Sequence, residues 1–241
     1  MDDAILLDAA TVRYRLSRER LSIRDLLVGS RRVIREHVAL DSVDLAVKRG
    51  EAIGVIGLNG AGKSTLLRVL ARIVRPNSGR LRIKGRVAPL LDLTGAFHPE
   101  LTGRENVSLQ ASIHGVRHEE IARRFDEIAA FADIGTFIDA PLRTYSAGMM
   151  LRLGFAVMIN IDADILLIDE ALGVGDAGFQ EKCSQRIAEL RDRGLSFVIV
   201  SHDLARLREL CDRILWLDHG RARLIGDPTD VVAQYAATVT R

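Results

Sequence analysis

Residues 52–64 read "AIGVIGLNGAGKS", and "KSTLLRVLARIV" follows over 63–74. The opening AIGVIG is a short apolar run, the pattern of a strand buried on both faces. The leucines and valine after Lys63 recur at helical spacing. Between them, Gly57-Leu58-Asn59-Gly60-Ala61-Gly62-Lys63-Ser64 fits G-x-x-x-x-G-K-[ST] in the strand–turn–helix setting that motif requires. Glycines there let backbone amides curl round a phosphate without a Cβ clash. Gly57, Asn59, Gly60, Ala61, Gly62, Lys63, Ser64 and Thr65 are therefore expected to hold a nucleotide, with Lys63 bridging its β- and γ-phosphates. Ser64 is expected to ligate Mg2+ through its hydroxyl.

Such a nucleotide site needs carboxylates opposite the loop. Ile165-Leu166-Leu167-Ile168-Asp169-Glu170 supplies them: four apolar residues for a central strand, then two acids at its C-terminal end. Open α/β sheets bind their ligands at that edge. Asp169 is expected to hold Mg2+, and Glu170 to act as the general base toward the attacking water. Ser201-His202-Asp203 ends the next predicted strand, from which His202 could reach the γ-phosphate side of the same edge.

A second anion-binding pattern lies at 145–149, "YSAGM", ahead of "MLRLGFAV". Ser146 sits where a helix N-cap sits, with small residues beside it and open amides behind it. One chain with one phosphate loop has no obvious second anion for this stretch.

The 241 residues suffice for one large α/β domain or two small ones, and 48% are hydrophobic, enough for a sizeable core. A net charge of +2 argues against a generally basic nucleic-acid binder. No apolar run reaches the ~18 residues that span a bilayer. The acidic start, MDDAILLDAA, lacks the basic opening of a signal peptide, so a soluble cytoplasmic chain is expected. Cys183 and Cys211 lack metal-ligand spacing and read as buried small apolar residues. Strands are predicted at ILLDAATVRY, 39–48, 163–169 and 195–201. Helices are predicted through 104–160, and a hairpin over 213–218 and 221–226 about His219-Gly220. The strand–helix alternation argues a mainly parallel sheet covered on both faces.

Taken together, the motifs resemble the ATPase domain of an ABC transporter over nearly the whole chain. GLNGAGKST matches the Walker A loop, YSAGM the signature, ILLIDE the Walker B strand and VSHD the switch histidine. VGDAG, with Asp176, stands at the D-loop, and Tyr14 in TVRYRL at the aromatic that stacks on adenine. The resemblance implies a RecA-like core with an antiparallel β subdomain and an inserted helical subdomain. Residues 1–89 and 161–241 would form the core with the β subdomain, and 90–160 the inserted region. It implies ATP and Mg2+ as ligands. It also implies a homodimer in which Ser146, Ala147, Gly148 and Asp176 serve the nucleotide held across the interface.

Three stretches narrow the resemblance. The YSAGM spelling, the run DEALGVGDAGFQEKC and LLDLTGAFHPELTGREN (90–106) are similar to ATPase subunits that export polysaccharides of the O-antigen, capsule or teichoic acid kind. Such subunits pair with two copies of a separate membrane subunit, act on a lipid-linked polymer, and sit on the cytoplasmic face of the inner membrane. Most relatives carry a Mg2+-contacting glutamine ahead of the Leu-Thr-Gly element. Here Asp92 is the polar residue near that place, expected as a metal or water contact. Phe97, His98 and Pro99 are expected to face the membrane subunit.

Residues 15–38 carry seven arginines against three acids. Ile23, Leu26, Leu27 and Ile34 could share a helical face, either toward the membrane or over the strand layer. No carbohydrate-binding β-sandwich is expected after the last short helix, which opens at Pro228. A guanine-reading Asn-Lys-x-Asp is absent, which argues against a GTPase.

Overall fold

A computed structural model describes residues 3–17, 34–169 and 175–239. Two sheets organise them. The first is antiparallel, in the order β2-β1-β4, from β1 (Asp3–Ser17), β2 (Ile34–Lys48) and β4 (Ser78–Ile83). The second runs β5-β6-β7-β3-β8-β9. Its strands are β3 (Ala52–Ile56), β5 (Val87–Leu90), β6 (Ile165–Asp169), β7 (Ser196–Val200), β8 (Arg213–Asp218) and β9 (Arg221–Gly226). Neighbours from β5 to β8 pair in parallel, and β9 closes the edge antiparallel.

The apolar runs explain the sheet's centre. β3 and β7 are buried at every position, and β6 at all but Asp169. A parallel strand covered on both faces has no polar side to show. Helix α1 (Lys63–Leu70) covers one face. The N-terminal ribbon is bent by bulges: register shifts near Ala9 and Ser42 coincide with positive φ of 45° and 52°. The amides there bond to Asp44 Oδ1 and Thr11 Oγ1.

The stretch between β5 and β6 is helical, as its periodicity predicts: α2 (Gly103–Ile113), α3 (His118–Ala132) and α4 (Ala147–Ile159), with short 3-10 turns between α3 and α4. Thr102 and Glu105 form a capping box at α2. Phe131 of α3, Phe155 of α4 and Phe179 of α5 (Ala177–Asp192) pack within about 6 Å of one another, the first two stacked and Phe179 edge-on to both, and tie the helical lobe to the core. Helix α6 (Leu204–Leu210) precedes the β8–β9 hairpin, whose turn residues His219 and Gly220 both have positive φ, the geometry that fits strand twist. In α7 (Pro228–Val239), Tyr235 packs edge-on to Trp216. Cys183 and Cys211 are buried free thiols.

Three differences from the sequence reading have physical causes. β4 is a half-exposed edge strand in which arginines alternate with Leu81 and Ile83. β5 contains Pro89, tolerated because β5 is an edge. Residues 34–38, read as part of a helix, lie in β2 opposite 13–17, so Ile34 is a strand residue. Ile23, Leu26 and Leu27 lie outside the described residues. Among the described residues no helix is long and apolar enough to cross a membrane.

Candidate nucleotide-binding site

β3 delivers the chain to the loop 57–62, and α1 carries it away. Gly62 stands at the helix N-cap with φ 105° and no side-chain cap. A Cβ there would lie 2.5 Å from the Ala39 carbonyl oxygen, so the position admits glycine. Without a side-chain cap, the amides that open α1 keep their donors for a ligand, and the helix dipole favours an anion at that end.

These amides face a cleft of about 540 Å3. Asn59, Gly60 and Gly62 of the loop and Lys63, Ser64 and Thr65 at the start of α1 line it, together with Tyr14, His37 and Ala39 of the first sheet, Leu91, and Asp169 at the end of β6. Lys63 is buried, and its ammonium donates to the carbonyls of Gly57 at 2.7 Å and Leu58 at 3.2 Å. It thus spans the loop's mouth with its charge already desolvated in part. Asp169 ends β6 beside Val200 of β7, and His202 follows two residues later, exposed. Glu170 lies outside the described residues.

Tyr14 lines the cleft, and its hydroxyl is buried with no hydrogen-bond partner among the described residues. His37 is its cross-strand partner, and direct partners in an antiparallel pair share a face. Sequence reading missed His37. The signal was the hairpin register: once β1 and β2 pair, position 37 falls opposite 14.

Two predicted residues are engaged elsewhere. Asp92 is exposed, and its Oδ1 accepts the Gly95 amide at 2.9 Å, while Leu91 is the residue of that stretch at the cleft wall. Asp176 caps α5 through Phe179 N–H and forms an ion pair with Arg152 of α4. The cap and Arg152 hold its carboxyl below the usual carboxylate range. Ser146 caps α4, its Oγ accepting from Met149 N at 3.2 Å. Ser146, Ala147 and Gly148 are exposed and are not among the residues lining the cleft.

A model of the ABC transporter family matches residues 40–173. This chain belongs to the ABC transporter family. It is an ATPase of that family. An O-antigen export system ATP-binding protein, RfbB of Klebsiella pneumoniae, is 42% identical over 218 residues, 88% of this chain and 89% of that protein. The teichoic acids export ATP-binding protein TagH of Bacillus cereus is 43% identical over 201 residues, 83% of this chain and 36% of that longer protein. A dimeric ATP-binding cassette solved with ADP and phosphate matches the fold at TM-score 0.74 and 23% identity, covering 93% of this chain and 98% of that one.

Within this ABC ATPase, the phosphate loop, Tyr14 and Asp169 line one cleft. The donor set suits Mg2+: a hydroxyl from Ser64 and a carboxylate from Asp169 are hard oxygen ligands that leave coordination places for phosphate and water.

Proposed function

We propose that the chain is the ATP-hydrolysing subunit of an exporter that carries a lipid-linked polysaccharide across the cytoplasmic membrane. The observation that carries this reading is a divided site. The phosphate loop lines a cleft, while the anion-binding end of α4 is exposed away from the lining. A twofold homodimer unites them, each chain's Ser146 and the amides of Ala147 and Gly148 meeting the γ-phosphate held by the partner's Lys63.

In that dimer Lys63 leaves its loop carbonyls for the β- and γ-phosphates. Tyr14 stacks on adenine, with His37 beside it. Ser64 and Asp169 hold Mg2+, which supplies charge neutralisation on the phosphate oxygens. Glu170 takes the proton of the attacking water, and His202 bonds to the γ-phosphate side. Asp176 acts through the α5 cap and its bond to α4, and Asp92 through its own loop. ATP closes the dimer and hydrolysis opens it. Two copies of a membrane subunit, seated near Phe97–Pro99, follow that motion from the cytoplasmic face. The polymer class follows from the relatives, whose names state O-antigen and teichoic acid export.

Replacing Glu170 by Gln tests both halves of the reading. E170Q binds ATP, accumulates as a dimer by size exclusion and hydrolyses at under about a hundredth of the parent rate, a general base being worth roughly 10²–10⁴-fold. In cells that depend on this chain, polymer then accumulates inside and fails to reach the surface. An E170Q protein that hydrolyses like the parent refutes the base assignment, and normal surface polymer refutes the export role.

A further inference from the structure

The surface loop 97–103 and the residues ahead of Ser146 are bonded into one unit. Asn106, fully buried, clamps the loop from inside: its Nδ2 donates to the carbonyls of His98, Leu101 and Thr102 at 2.9–3.1 Å, and its Oδ1 accepts the His98 amide at 2.7 Å. Backbone bonds then tie the loop to 140–143. Leu142 N–H donates to Leu101 O and Arg143 N–H to Pro99 O, both at 2.9 Å, and Gly103 N–H donates to Ala140 O at 3.2 Å. Arg143 also pairs with Glu100 at 3.3 Å.

Tyr145 closes the unit. Its ring is buried, and its hydroxyl donates to the Phe137 carbonyl. Burial and the nearby Asp139 charge push its pKa up to about 12, so the hydroxyl stays a donor at physiological pH. The hydroxyl rests on Gly103: a Cβ at 103 would lie 2.2 Å from it and 2.8 Å from the Ile138 carbonyl oxygen. The next residue, Ser146, caps α4.

We propose that Tyr145 is a positioning residue: it latches the 97–103 loop to the signature serine, so that displacement of that loop is delivered to Ser146 rather than dissipated in the 137–145 connection. A leucine there would offer no hydroxyl to Phe137 and would leave the space above Gly103 unfilled. The latch rests on the reading that Ser146 completes a site in trans.

Tyr145→Phe keeps the ring and removes the bond. The expected result is a kcat lower by about tenfold, the scale set by small misplacements of a reacting group. Binding of a non-hydrolysable ATP analogue to the isolated subunit stays within about twofold, because that cleft lacks Tyr145. Hydrogen exchange of the 147–150 amides rises while that of 63–66 does not. Gly103→Ala is harmful in the parent, and Y145F recovers part of that loss by removing the closest clash. The latch is overturned if Y145F turns over like the parent, if it weakens analogue binding as much as turnover, or if the two substitutions are additive. Loss of folding in G103A leaves the Y145F measurements decisive. A mixed dimer of S146R and K63A chains checks the trans reading separately: activity there with a parent-like Y145F discards the latch alone, and no activity there discards the reading beneath it.

Discussion

At the scale of single residues, His37 is the most informative position. It reaches the cleft because β1 and β2 pair in a register that sets it opposite Tyr14. Two rings side by side on one face offer a purine a wider platform than either alone. Replacing either by alanine should therefore weaken ATP by about three- to tenfold, near the 0.5–1.5 kcal/mol of an aromatic pair. Binding of tripolyphosphate, which has no base, should not change. Titration calorimetry with both ligands checks this; equal losses for the two would place His37 at the phosphates instead. Tyr14 was picked out through the family resemblance, whereas His37 was not, because the bulges near Ala9 and Ser42 set the register and leave little trace in residue type.

At the scale of elements, the join between α4 and α5 depends on Arg152. Its guanidinium pairs with Asp176 and lies 5.1 Å from the centre of the Phe179 ring. The acids it meets are exposed, so screening keeps the ion pairs modest, and the ring contact adds to them. Arg152→Ala should cost about 1–2 kcal/mol of stability. Asp176→Ala should also lower stability, through the lost cap on α5. Because they share a bond, the double variant should lose less than the sum, as urea unfolding would show. The elements carrying the motifs were legible: buried apolar runs marked β3, β6 and β7, and leucine spacing marked α1. The edge strands β4 and β5 were not, since a half-exposed strand with arginines, or one holding a proline, lacks the apolar signal of a central one. The 34–38 stretch misled for the related reason that Ile34 and its neighbours fit a helical face as readily as a strand.

At the scale of the whole molecule, two helix ends with the residue makeup of anion sites belong to one chain, and one of them lines the cleft. The motifs make this division legible in the sequence, because one chain with one phosphate loop leaves YSAGM without an anion of its own. Hidden from sequence was the bonding of 97–103 to 140–145, which rests on backbone bonds and on the space above Gly103 rather than on residue pattern. The account stands on the two ends meeting across a dimer. The most direct test is the ATPase rate of a mixture of S146R and K63A chains, each inactive alone. A heterodimer of the two has one site with both halves intact and one with neither. The account predicts that activity returns on mixing, approaching half the parent turnover per heterodimer. A mixture that stays as inactive as its components, while heterodimers form, contradicts it.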